Sequence, residues 1–220
     1  MFEIHVENLR FTYADKYRKS GFELVVDEFF PIGCVAITGE NGSGKTTLGK
    51  LIAGVLRPSA GCVRYDGVDI AGLKLGEIGR QVGYLFQEPS RQIFTSSPLA
   101  EIALPLELRG VPAGEAREQA LALLEEFELT QIIDSTTFTL SRGEKQRLAI
   151  AAMMVMRPRF FVLDEPTTGL DKARRQILAR TLHKLQDDGA RILLISHDEE
   201  FVDTMGATVR RMKGGRLLEA

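Results

Sequence analysis

Residues 34–46 read "CVAITGENGSGKT", and no other stretch constrains the fold as strongly. "CVAIT" is a short apolar run of the kind that forms a strand buried on both faces. "GENGSGKT" (39–46) follows as a full match to G-x-x-x-x-G-K-[ST], and a helical pattern then runs from Lys45 to about Leu56, where "RPSAG" stops it. A buried strand that turns through a glycine loop straight into a helix implies an α/β fold. Gly39, Gly42 and Gly44 let the backbone curl so that successive N–H groups face a phosphate chain. Lys45 then supplies a point charge for phosphate oxygens, Thr46 offers a hydroxyl to Mg²⁺, and the helix N-terminus adds partial positive charge. A plain glycine-rich turn before a helix is the competing reading, and the fixed Lys-Thr pair behind a buried strand argues against it.

The rest of the chain alternates in the same way. "EIHVENLRF" and "FELVV" read as N-terminal strands, "QVGYLFQ" (81–87) as another, and "RFFVLDEP" (159–166) and "ARILLIS" (190–196) as later apolar strands. From 88 to about 158 the pattern is almost wholly helical, "AGEAREQALALLEEFEL" being its clearest amphipathic run. A helix at about 172–187, a short helix, and a hairpin turning at "KGG" (213–215) follow. The expected organisation is a single domain over 1–220, with a core of 1–87 and 159–220 and an inserted helical subdomain at about 88–158.

Composition narrows the function classes. Hydrophobic residues at 44% and charged residues at 26% describe an ordinary globular chain. The 28 basic and 30 acidic residues leave a net charge of −2, with no global field to gather nucleic acid or anionic lipid, so no nucleic-acid partner is expected. Cys34 and Cys62 have no metal-type spacing, and Cys34 in its buried strand reads as a free thiol. The longest uncharged apolar stretch, "LAIAAMMVM" (148–156), is far too short for a bilayer, and the N-terminus lacks a signal-peptide core. A reducing cytosolic compartment is expected, with membrane contact only through a partner.

Two further elements carry chemistry. "FFVLDEP" (160–166) places two carboxylates at the C-terminal end of a core strand, the end at which open α/β sheets bind ligands. There Asp164 is placed to hold Mg²⁺ through water, and Glu165 to accept a proton from an attacking water. His197, in "LLISHD", occupies the equivalent end of the next buried strand and is placed to contact a γ-phosphate. "TLSRGEKQRLA" (139–149) is a helix start, Ser141 and Glu144 forming a capping box. A helix N-terminus with small residues is also an anion site, so the stretch has two compatible readings.

With these elements together, the chain resembles the nucleotide-binding subunit of an ATP-binding cassette (ABC) transporter over essentially its whole length. "GENGSGKTT" resembles the Walker A loop, which puts Gly39, Glu40, Asn41, Gly42, Ser43, Gly44, Lys45, Thr46 and Thr47 on the nucleotide. "FFVLDEP" resembles the Walker B strand. Gln87 resembles the Q-loop glutamine, a catalytic and Mg²⁺-contacting position, "GLD" (169–171) the D-loop, and His197 the switch histidine. Tyr13 in "FTY" matches the aromatic that stacks on adenine. "LSRGEKQR" resembles the signature usually written LSGGQ, with Arg142 in place of a glycine and Glu144 in place of the glutamine. Glu144 keeps the capping geometry, and Arg142 either adds charge beside the phosphates or points to solvent.

The resemblance implies a P-loop NTPase with a RecA-like core, an N-terminal antiparallel β subdomain and an inserted helical subdomain. It implies ATP hydrolysis with Mg²⁺ and a head-to-tail pair of ATPase subunits, identical or paralogous, in which Ser141 and the N–H of Gly143 bind the γ-phosphate of the other subunit. It also implies a transmembrane scaffold as partner and a place on the cytoplasmic face of the membrane. "EPSRQIFTSSPLAEIALPL" after Gln87 is similar to the energy-coupling-factor ATPases that power vitamin and cobalt/nickel import. Another ABC importer or exporter, or a non-transport ABC ATPase, is the alternative. Arg91, Gln92, Ile93 and Phe94 are the expected docking set for a short helix of the scaffold, Ile93 and Phe94 having packing against the sheet as their alternative.

Overall fold

The computed structural model describes residues 2–13, 22–30 and 33–218. The first half comprises β1 (Ile4–Thr12), β2 (Glu23–Phe30), β3 (Cys34–Thr38), α1 (Lys45–Ile52), β4 (Ala60–Tyr65), β5 (Val68–Asp69), α2 (Leu75–Ile78) and β6 (Val82–Leu85). Three helices follow, α3 (Pro98–Glu107), α4 (Ala113–Glu126) and α5 (Arg142–Met154). The remainder is β7 (Phe160–Asp164), α6 (Lys172–Asp187), β8 (Arg191–Ile195), α7 (Glu199–Thr204), β9 (Thr208–Lys213) and β10 (Arg216–Leu218).

These strands make two sheets. One is antiparallel, in the order β2-β1-β4-β5. The other runs β10-β9-β3-β8-β7-β6 and is parallel throughout except for the β9–β10 hairpin at its edge. Register aligns the parallel strands end to end, with Ile37 opposite Ile195 and Asp164 opposite Ile195. The loops after β3, β7 and β8 therefore leave from the same edge of the sheet, which is where the sequence expectations converge.

Alternation along each strand assigns the two faces. Val35, Ile37, Val162, Leu193 and Ile195 point to one side, with α1 and the inner face of the antiparallel sheet. Ala36, Phe161, Leu163, Ile192 and Leu194 point to the other and share one continuous cluster with α3 to α7. The inserted helices thus bury their apolar stripes in the same core as the sheet. Cys34 belongs to that cluster as a free thiol, as expected, and burial pushes its pKa up to about 12.

Several boundaries differ from the sequence expectation. The first helix ends at Ile52, four residues early, because Gly54 takes φ 68° and the Tyr65 hydroxyl on β4 donates to the free Ile52 carbonyl. The strand expected over 81–87 is confined to Val82–Leu85, and the one begun at "FELVV" extends to Phe30. The stretch from 88 to 158 is less helical than expected: 127–141 is irregular apart from two short 3₁₀ turns, Thr130–Ile132 and Thr137–Thr139. Strands β4 and β5 and helix α2 have no counterpart among the elements expected from the sequence. In β1 a bulge at Asn8 (φ 46°) lets Val6 and Leu9 both face inward despite their odd spacing.

Candidate functional site

The loop after β3 forms the floor of the site. Gly39, Gly42 and Gly44 have φ of 142°, 81° and 110°, and a Cβ on Gly39 would lie 2.1 Å from the Met212 carbonyl oxygen of β9. Only glycine satisfies both conditions at position 39. Lys45 Nζ curls back to donate to the carbonyls of Gly39 at 2.7 Å and Glu40 at 2.9 Å, which sets the ammonium over the loop. Ser43 is buried and its Oγ has no partner among the described residues. Helix α1 has no side-chain cap and no acidic residue in its first turn, so its leading N–H groups remain available to an anion. Glu40, Asn41 and Gly42 are exposed on the rim.

Two positions along the sheet, β7 delivers its carboxylates. Asp164 is fully buried (0% exposed), accepts the Tyr84 hydroxyl at 3.2 Å on Oδ2, and has an unpartnered Oδ1. Burial pushes its pKa above the usual carboxylate value, while hydrogen bonds from the Thr46 and Tyr84 hydroxyls pull the other way. An orphaned, desolvated carboxylate oxygen beside a threonine hydroxyl is a fitting pair of ligands for a hard cation. Glu165 adopts φ 53°, a left-handed conformation at a non-glycine residue, and is also buried. Its Oε2 lies 2.8 Å from His197 Nδ1, an ion-pair distance without hydrogen-bond alignment, and the His197 side chain is 80% exposed. The fold therefore brings Glu165 and His197 together, with Asp164 beside Thr46.

The other expected residues lie around this centre. The Tyr13 hydroxyl pairs with Thr47 Oγ1 at 3.0 Å, which anchors the ring over the start of α1 while 53% of the residue stays exposed. Gln87 is exposed and lines a cleft of about 410 Å³ with Pro89, Arg142 and Lys145, and no hydrogen bond ties it to Asp164 or Thr46 among the described residues. Ser141 and Glu144 form the expected capping box: Ser141 N–H and Oγ donate to Glu144 Oε2 at 2.8 and 2.7 Å, and Glu144 N–H donates to Ser141 Oγ at 3.3 Å. These bonds hold the Glu144 carboxyl below the usual carboxylate range, with the Ser141 hydroxyl as the largest cause. A Cβ on Gly143 would come within 2.9 Å of the Gly169 carbonyl oxygen, so the start of α5 touches the loop after β7 backbone to backbone. Arg142 is exposed, as in the solvent-facing alternative, with its stem against Gly169.

Sequence reasoning missed several participants. Tyr84 reads as an ordinary strand residue, yet its hydroxyl holds Asp164. Gln146 is fully buried and donates to the Pro166 carbonyl at 3.2 Å, linking α5 to the loop after β7. Arg147 is buried beside it, and desolvation, then the nearby Arg174, lowers its pKa. A polar pair inside a helix that is otherwise apolar at its C-terminal half was the available signal for Gln146 and Arg147.

The family profile for ABC transporters matches residues 28–168, well over half of the chain. This chain belongs to the ABC transporter family, as an ATP-binding subunit. A putative ABC transporter ATP-binding protein of Pyrococcus horikoshii is 39% identical over 86% of this chain and 72% of its own length. One from Methanosarcina acetivorans is 36% identical over 96% of this chain but only 34% of its own length, so the present chain spans about a third of that relative. Among solved structures, CbiO1 of Clostridium perfringens, part of the ABC transporter complex CbiONQ, superposes with a TM-score of 0.81 at 30% identity, covering 98% of this chain and 86% of its own. A dimeric ATP-binding cassette in a post-hydrolysis state with ADP and Pi shares the fold at a TM-score of 0.85 and 24% identity, covering 98% of this chain and 97% of its own. The α/β architecture of this ABC ATPase is thus that of known ATP-binding cassettes.

Proposed function

We propose that the ATPase site is built from the 39–47 loop, Asp164, Glu165 and His197, and that it drives solute transport through a separate membrane protein. The observation that carries this reading is the convergence of three loops at one sheet edge. They set an ammonium over a glycine cradle, an orphaned buried carboxylate oxygen, and a second carboxylate against an imidazole. Lys45 and the loop N–H groups bind the β- and γ-phosphates, and Tyr13 offers a ring face to the base. Glu165 takes the proton of the attacking water, and His197 contacts the γ-phosphate. Mg²⁺, held by Asp164 and Thr46 with Gln87 approaching from its cleft, would neutralise charge on the phosphates when bound. Ser141 and the N–H of Gly143 face the nucleotide of a second subunit. The 88–158 segment serves as the docking subdomain of the core.

The transport class we favour is an energy-coupling-factor importer at the cytoplasmic face of a membrane, with a vitamin or metal ion as solute. The similarity to CbiO1 supports it, as does the segment after Gln87. No helix among the described residues is long and apolar enough to cross a membrane, so a separate scaffold would provide the path. Glu165→Gln should bind ATP as tightly as the wild type and hydrolyse it about 10²–10⁴-fold more slowly, the usual loss for a general base. Lys45→Ala should weaken ATP binding itself. Turnover within a few-fold of normal in Glu165→Gln, measured by phosphate release, would remove the assignment. Co-purification of the chain with a polytopic membrane protein checks the transport role.

A further inference from the structure

His197 is held by its neighbours in sequence rather than by packing of its own ring, since that side chain is 80% exposed. Ser196 is fully buried, and its Oγ accepts the Asp198 N–H at 3.1 Å. Asp198 Oδ1 accepts the Phe201 N–H at 3.2 Å as the N-cap of α7. The other oxygen, Oδ2, is shut off from water and lies 2.8 Å from Nη1 of Arg175, in the first turn of α6, an ion-pair distance without hydrogen-bond alignment. Arg175 Nε in turn donates to the Leu170 carbonyl at 3.2 Å. Leu170 is buried in the loop after β7, and that loop begins at Glu165. One planar guanidinium therefore ties the loop after β7 to the loop after β8, close to where Glu165 and His197 meet.

We propose that Arg175 is a positioning residue for hydrolysis: by clamping the Leu170 carbonyl to Asp198, it holds His197 against Glu165. This rests on the assignment of Glu165 and His197 to the site. The Arg175 side chain is 39% exposed and that of Asp198 only 12%, so losing the pair also costs some stability, which a melting curve reads separately from the rate. A shift of about 1 Å in a reacting group costs on the order of 100-fold in rate. Lysine restores a charge beside Asp198 but not the Nε–H that the Leu170 carbonyl accepts, so it replaces only part of the clamp.

The test is a mutant cycle on ATP turnover, run at a protein concentration where activity has saturated. Arg175→Ala and Asp198→Asn each remove the ion pair, and the asparagine keeps the Oδ1 that caps α7. Each should lower kcat about tenfold or more while ATP affinity, read with a fluorescent ATP analogue, stays within about twofold. The double variant should be no slower than the slower single one, and Arg175→Lys should fall in between. Wild-type kcat in Arg175→Ala, losses that multiply in the double variant, or losses that only follow the folded fraction in a melting curve would each overturn the proposal. If Arg175→Ala does not fold, Asp198→Asn and Arg175→Lys carry the same comparison. Glu165→Gln run in parallel separates the two readings: normal turnover there removes the underlying assignment. An inactive Glu165→Gln beside a normal Arg175→Ala removes only the clamp.

Discussion

Glu144 shows how a single departure from the family pattern is accommodated. A glutamine there would cap the helix without charge, whereas the carboxylate accepts both the N–H and the hydroxyl of Ser141. Its pKa is depressed in the folded chain, so the stabilisation it gives is present above the unfolded value and lost as the pH falls through the folded one. The ordinary glutamate value is 4.5, so the loss begins below about pH 4.5. Glu144→Gln should therefore remove part of the acid dependence of the melting temperature between about pH 7 and pH 3.5, while leaving the neutral-pH value within a few degrees. A wild-type and variant pair with parallel acid profiles would show that the carboxylate contributes nothing of the kind. Most of the candidate site was legible at this scale because glycine, lysine and paired acids have few other uses in such an order. Arg175 and Asp198 were not, since their pairing joins the first turn of α6 to the N-cap of α7 and has no local pattern.

Among the elements, β3, β7 and β8 were legible because each is an unbroken apolar run buried on both faces. β4 was not, since "AGCVRY" follows Pro58 closely and carries a glycine at its second position. What makes it a strand is its partner: a Cβ on Gly61 would lie 2.3 Å from the Asn8 carbonyl oxygen, so β4 pairs only where glycine lets it pass the bulge in β1. The segment after Gln87 separates the two residues treated as a pair in the sequence. Ile93 packs against the core cluster, whereas Phe94 is 84% exposed. The buried carboxylate of Glu101 accepts the N–H groups of Phe94 at 3.0 Å and Thr95 at 2.7 Å, fixing the backbone that presents the ring. Thr137 N–H donates to the Ser96 carbonyl at 3.1 Å, which sets Phe138, 80% exposed, on the adjoining segment. Phe94→Ala should then keep basal ATPase near normal and shift stability by less than about 0.5 kcal/mol, as exposed sites do, while losing assembly with a scaffold protein. A pull-down from membranes and a melting curve decide it; a buried anchor would instead cost roughly 3–5 kcal/mol.

For the molecule as a whole, the hydrogen bonds of Ser141 run only to Glu144 among the described side-chain contacts, and none reaches the 39–47 loop. The proposed pairing of two subunits is tested at this scale. Specific activity should rise with protein concentration, and Glu165→Gln with ATP and Mg²⁺ should elute earlier on a sizing column than without nucleotide. Constant specific activity from a strict monomer would argue that each chain works alone; if the pair is a heterodimer, the same experiment is run on the mixture. Helix α5 gives this arrangement a mechanical side. Near its C-terminal end Met153 packs where a Cβ on Gly83 of β6 would stand, at 2.8 Å, and near its N-terminal end Gly143 abuts Gly169. The roughly ten residues between those two contacts make a stiff rod of about 15 Å. Pivoting by about 10° at Met153 swings the far tip by about 2.6 Å over that length, nearly a hydrogen bond's reach. A tilt of α5 about its Met153 contact would therefore move Ser141 by about one hydrogen bond's length relative to anything bound beyond it.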